Sequence, residues 1–217
     1  MKKTDNENEE KEPIKIILLG ESGVGKTNII LRYLKNEFNQ NSISTIGTTF
    51  GVKELNRNNN IYTLNIWDTT GQEIYRSVTK LFVQGAKIVI LVYSIENKNS
   101  FESLDYWYKS INEICDENII LAIVANKTDL FDQVDEENNF ISEEMGQKYA
   151  EEKKAIFKSV SAKIDKKGID TLFDQVLDAY IEKNGTNADS NNGKKNGIII
   201  NNNKNSKKGQ RAKCCRP

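Results

Sequence analysis

At 217 residues the chain is long enough for one compact domain with some chain to spare. Its 31 basic and 31 acidic side chains cancel, and 37% apolar content is lean for this length, so part of it is expected to stay outside a core. There is no histidine and there are three cysteines, Cys115, Cys214 and Cys215. That excludes Ser-His-Asp and Cys-His nucleophiles, His-ligated zinc, a four-cysteine zinc site and a disulfide framework. Apolar runs such as Ile88 to Tyr93 are too short to span a bilayer. The Met1-Lys2-Lys3 start has no apolar h-region, so a secretory precursor is not expected. Its second residue is Lys2 rather than a glycine, so N-myristoylation is not expected either.

Charge is unevenly spread. Gly185 to Pro217 holds eight Lys or Arg against one acid, Asp189, leaving the rest of the chain at −7. With its Asn, Gly and Ser content, 184–217 is expected to be a flexible basic tail, and 1–12 a polar extension. The folded domain is expected over 13–183.

Within it, apolar patterning alternates. Ile14 to Leu19 is a continuous aliphatic run, as a strand buried on both faces requires. Asn28 to Lys35 has helical spacing. Phe50 to Leu55 and Ile61 to Ile66 flank Asn58-Asn59-Asn60 and predict a hairpin. Ile88–Tyr93 and Ile119–Val124 are two more buried strands, with a helix predicted over Phe101–Cys115 between them. Glu143–Lys153 predicts a helix, Ile156–Val160 a short strand, and Ile169–Ile181 a closing helix. Strands alternating with helices give an α/β fold: a mostly parallel sheet, one antiparallel edge strand, and helices on both faces. Sites in such sheets lie at the carboxyl ends of the strands.

The first strand runs into Gly20-Glu21-Ser22-Gly23-Val24-Gly25-Lys26-Thr27, followed by a helix. This is the G-x-x-x-x-G-K-[ST] pattern. Its glycines let consecutive backbone N–H groups face phosphate oxygens, and the helix N-terminus adds positive partial charge. Lys26 supplies a point charge for the terminal phosphates, and Thr27 a hydroxyl for Mg2+. Asp68 ends the strand Ile61–Trp67, where a carboxylate can hold a magnesium-bound water. Beyond it, Gly71 can offer a backbone N–H to a terminal phosphate, and Gln72 has the donor and acceptor needed to orient a water.

Two further strand ends suit a purine. In Asn126-Lys127-Thr128-Asp129, the Asp129 carboxylate can accept both edge N–H groups of guanine, a pair adenine lacks. The Lys127 stem can lie over the ring. In Ser161-Ala162-Lys163, the Ala162 N–H can reach the guanine carbonyl.

Together, Gly20–Thr27, Thr45, Asp68–Gln72, Asn126–Asp129 and Ser161–Lys163 resemble the Ras superfamily of small GTPases over 13–183. The resemblance implies a six-stranded P-loop fold, GTP and GDP as ligands, Mg2+ as cofactor, and a cycle between GTP-bound and GDP-bound states. It also implies that Phe38 packs on the base, that Thr45 joins magnesium and γ-phosphate, that Asn28 and Leu130 complete the nucleotide site, and that Lys26, Thr45 and Gln72 serve hydrolysis.

Within that superfamily, Ser44–Phe50, Trp67–Glu73 and the Cys214-Cys215-Arg216-Pro217 end resemble Rab proteins. That implies an effector surface including Ile46, Phe50, Trp67 and Phe82, and prenylation at Cys214 and Cys215, with tail lysines and arginines adding attraction to anionic lipid. Expected partners are an exchange factor, an activating protein, an escort protein, a dissociation inhibitor and effectors. A monomer is expected, and no nucleic-acid partner. Location is expected on the cytoplasmic face of intracellular membranes, nearest to endosomal Rabs in resemblance, with a cytosolic pool. Thr70, Ile74 and Phe82-Val83 depart from the Rab pattern. A metabolic P-loop kinase and a non-hydrolysing GTPase scaffold are the competing readings.

Overall fold

The structure is a computed structural model and describes residues 12–40, 49–69, 81–115, 118–133 and 140–192. Thr45, Ile46, Gly71, Gln72, Cys214 and Cys215, together with Thr70 and Ile74, lie outside them.

Six strands form one sheet in the order β2-β3-β1-β4-β5-β6: β1 (Ile14–Leu19), β2 (Thr49–Arg57), β3 (Asn60–Asp68), β4 (Ile88–Ser94), β5 (Ile120–Asn126) and β6 (Ile156–Ser159). Only β2, at the edge, runs antiparallel to its neighbour. The hairpin turns at Asn58 and Asn59, whose φ angles of 51° and 60° give the twist a two-residue β-turn needs. All seven residues of β4 are buried, because helices cover both faces of the sheet.

Alternate strand residues feed two cores. Ile16, Leu18, Ile90 and Val124 face α1 (Lys26–Lys35) and a long C-terminal helix. Ile17, Leu19, Leu91 and Ile123 pack on the other face with α2 (Lys98–Glu102), α3 (Leu104–Asn112) and α4 (Glu143–Glu152). The final helix, α5 (Lys166–Asn192), buries Ile169, Leu172, Phe173, Val176 and Leu177, as its spacing predicts.

Two predicted boundaries change. The helix expected over Phe101–Cys115 starts at Lys98, because the Asn97 side chain accepts the Ser100 N–H, and it is divided at Ser103 into α2 and α3. Helix α5 continues past the expected end at Ile181 to Asn192. No proline interrupts that stretch, and each added residue gains a backbone hydrogen bond once the helix is nucleated. Arg57, at the hairpin tip, pairs with Asp174 and Asp178 one turn apart on α5. No helix among the described residues is long and apolar enough to cross a membrane.

Candidate nucleotide site

The loops after β1, β3, β5 and β6 converge on a cavity of about 390 Å³. It is lined by Ser22, Gly23 and Gly25 to Asn28, by Phe38 and Thr69, and by Asn126, Lys127, Asp129, Leu130, Ala162 and Lys163. At its phosphate end, the chain leaves β1 through Gly20, where a Cβ would stand 2.1 Å from the Val92 carbonyl oxygen. Gly25 has φ +96°, and a Cβ there would lie 2.3 Å from Asn126 Nδ2. Both positions therefore exclude side chains, and the loop packs closely enough to point its backbone into the cavity.

Lys26 opens α1 and is 5% exposed. Its ammonium donates to the carbonyls of Gly20 and Glu21 at 2.8 and 2.9 Å. Burial lowers its pKa to about 8, against the opposing pull of Asp68 and Glu21. Thr27 Oγ1 donates to Asp68 Oδ2 at 2.8 Å. Asp68 is buried at the end of β3, and desolvation raises its pKa while Thr27 and Lys26 oppose the rise. Its other oxygen, Oδ1, has no hydrogen-bond partner among the described residues. A hydroxyl and a carboxylate, both hard oxygen donors, with one buried lone-pair site unused, fit a hydrated magnesium ion.

At the other end, Asp129 accepts from Ser161 Oγ at 2.5 Å, and Lys163 Nζ lies 3.8 Å from its second oxygen. Ser161 Oγ also accepts from the N–H groups of Lys163 and Ile164 at 3.2 and 3.3 Å, so one hydroxyl fixes the β6–α5 turn and the carboxylate beside it. Lys127 has φ +68°, and its ammonium donates to Glu96 at 2.6 Å, which draws its stem along the cavity.

Asn126 and Ala162, both expected at the base, line the cavity and also meet each other. The Asn126 side chain ties loops together: Nδ2 donates to the Val24 carbonyl at 2.7 Å and Oδ1 accepts from Ala162 N–H at 3.1 Å. Both groups are buried, and a buried polar group takes the protein partner within reach.

Most other predicted residues converge. Ser22, Gly23, Asn28, Phe38, Leu130 and Lys163 line the cavity, while Glu21, Val24 and Ser161 act from behind it through the bonds above. Phe38 also packs against the α1–α5 core, so it belongs to both core and cavity. Phe50 is 59% exposed and stacks on Trp67, with centroids 5.3 Å apart; half-buried Phe82 packs, like Trp67, against the second core.

Sequence reasoning missed Glu96, Thr69, Gln40 and Arg32. The first three line the cavity, and Thr69 Oγ1 donates to the Leu18 carbonyl at 2.6 Å. Arg32 bonds to carbonyls 130 and 131 residues away, a pairing no local pattern carries.

The Ras family profile matches residues 15–182. The chain is 37% identical to Ras-related protein Rab11E of Lotus japonicus over 163 residues, covering 75% of this chain and 72% of that protein. It is 38% identical to GTP-binding protein ypt3 of Schizosaccharomyces pombe over 163 residues, 75% and 73% of the two chains. It is 36% identical to Ras-related protein Rab-11B of Dictyostelium discoideum over 191 residues, 86% and 84% of the two. With a phosphate-binding loop, a Thr-Asp pair and a carboxylate suited to guanine around one cavity, the chain belongs to the Ras family and is a Rab small GTPase.

Proposed function

We propose that the cavity binds guanine nucleotide with its phosphates at Gly20–Thr27 and its base at Asp129, and that this chain hydrolyses GTP as the timing step of a membrane-traffic switch. The observation that carries the reading is the Thr27–Asp68 pair beside buried Lys26, in the same cavity as Asp129. Lys26 draws charge from the terminal phosphates. Thr27 and Asp68, with Thr45, would hold magnesium, which supplies charge neutralisation at the phosphates when bound. Gln72 orients the attacking water, and the Gly71 N–H meets the terminal phosphate. No arginine is assigned to the transferring phosphate, so intrinsic turnover is slow and an activating protein accelerates it.

Thr45 and Gly71 hold their segments only while the γ-phosphate is present, and hydrolysis releases them. The exposed Phe50–Trp67 stack, with Ile46 and Phe82, supplies an apolar surface for effectors in the GTP-bound state. Prenyl groups on Cys214 and Cys215, aided by the basic tail, hold the active form on the cytoplasmic face of an intracellular membrane, with endosomal membranes the first to examine. An escort protein and a dissociation inhibitor handle the prenylated chain, and an exchange factor reloads it.

The test is to load purified protein with radiolabelled GTP and magnesium against excess ATP and follow phosphate release. Guanine-selective retention with slow release, slowed further by Gln72→Leu, is expected. Retention of ATP in place of GTP, or guanine retention with no phosphate released, overturns the reading.

A further inference from the structure

The site above leaves one polar face of α1 unaccounted for. Asn28 and Arg32 are four residues apart and so lie on the same side of the helix. Asn28 is 7% exposed, and its amide makes a matched pair with the main chain of Asn39: Nδ2 donates to the Asn39 carbonyl at 3.1 Å, and Oδ1 accepts the Asn39 N–H at 2.9 Å. Arg32 reaches two ways. Its Nη1 donates to the carbonyl and side-chain oxygens of Asn36 at 2.9 and 3.0 Å. Its Nε and Nη2 donate to the carbonyls of Ala162 and Lys163 at 2.9 and 2.8 Å.

The segment between these anchors is short. Asn36 closes α1 in the left-handed region at φ 57°, and Asn39 lies three residues on. Phe38 stands between the two pinned residues and lines the cavity, as do Ala162 and Lys163. One helix face thus holds the aromatic on one side of the base end and the β6–α5 turn on the other. A guanidinium suits this, because its planar fork can serve two carbonyl groups on one loop and a third on another, which an ammonium cannot span.

We propose that Asn28 and Arg32 are positioning residues, a two-point clasp on α1 that holds Phe38 and the Ala162–Lys163 turn together around the guanine base and so sets how slowly nucleotide leaves. The proposal rests on the reading of this cavity as the guanine site. Neither side chain needs to touch the nucleotide for this effect. When the clasp opens, the Phe38 segment and the turn move independently, and the base loses its enclosure in two places.

The test loads the full chain with a fluorescent GDP analogue and magnesium and follows release into excess unlabelled GDP. Arg32→Gln and Asn28→Ala are each expected to speed release by about tenfold, the effect of losing one to two net hydrogen bonds. Arg32→Lys, which keeps charge and stem but not the fork, is expected to be nearly as fast as Arg32→Gln. Asn28→Ala added to Phe38→Leu is expected to add less than about twofold, since its effect runs through the same segment. A purely structural role would instead multiply with Phe38→Leu, and that outcome overturns the clasp. So does release at the wild-type rate in both Arg32→Lys and Asn28→Ala while wild type retains GDP tightly. Wild-type protein with no guanine-selective retention overturns the underlying site reading, and the clasp with it.

Discussion

At the base end of the cavity the protein's own groups answer one another: Asn126 joins Val24 to Ala162, Ser161 holds Asp129, and Arg32 holds the turn that follows. At the phosphate end the charges are buried with little to meet them. Lys26 has two loop carbonyls, and Asp68 has one hydroxyl and an orphaned oxygen. The first arrangement is prebuilt, and its bonds contribute to the fold itself. The second is costly in the protein alone and becomes favourable when phosphate and a cation supply the missing partners. On the function proposed above, selectivity would reside where the frame is rigid, and the response to nucleotide where the charge is uncompensated.

The strongest way to break this contrast is Lys26→Met. Nucleotide affinity should fall by about ten- to a hundredfold or more, since a buried charge-assisted contact to phosphate is worth about 1.5–3 kcal/mol or more. In the nucleotide-free fold, relief from burying the ammonium should largely offset the loss of its bonds to two carbonyls and of its attraction to Asp68, so the melt should change little. A loss of several degrees in the nucleotide-free melt would place Lys26 among the fold's supports.

Asn126→Ala should behave in the opposite way. It leaves the Val24 carbonyl and Ala162 N–H buried without partners, at about 1–3 kcal/mol each. Nucleotide-free protein should therefore melt several degrees lower, read by circular dichroism. An unchanged melt would show that the tie between the two loops contributes nothing.

Titration sharpens the same comparison. The Lys26 pKa is lowered from 10.5 to about 8 in the folded protein, so between those values the unfolded chain binds the extra proton. Stability of the metal-free, nucleotide-free protein should rise from pH 8 towards pH 10, by up to about 3 kcal/mol from this group. Below pH 8 both states are protonated and the slope vanishes. Denaturant melts of wild type and Lys26→Met across that range should differ in slope; parallel curves would contradict the buried ammonium. The smallest expected effect lies outside the site. Ser142 caps α4 by accepting the Met145 N–H at 3.3 Å. Ser142→Ala should cost about 1 kcal/mol of stability and leave nucleotide release untouched.

Much of this was legible because it is local. The β1 run into Gly20–Thr27 gives strand, phosphate loop and helix in one stretch, and Asn58-Asn59 gives the hairpin. Asp129 and Ser161 were readable as strand-end polar groups. What was not legible is mutual. The Asn126 amide could be placed at the base end but not assigned to Val24 and Ala162, because those partners are brought near only by the β1-β4-β5-β6 order. Arg32 reads as an ordinary helix-surface residue until the fold sets the β6–α5 turn beside it. The start of α2 was missed for a smaller reason: the Asn97 cap was in the sequence, but apolar spacing begins only at Phe101.

The most direct test of the contrast is hydrogen exchange of the full chain, nucleotide-free and loaded with GDP and magnesium, resolved at individual amides. The account predicts that the Ala162, Lys163 and Ile164 amides are already protected without nucleotide and change little on loading, while amides across Glu21–Thr27 gain strongly. Similar gains at both ends, or an unprotected 162–164 turn in the free protein, would contradict a prebuilt base end and a phosphate end completed by its ligand.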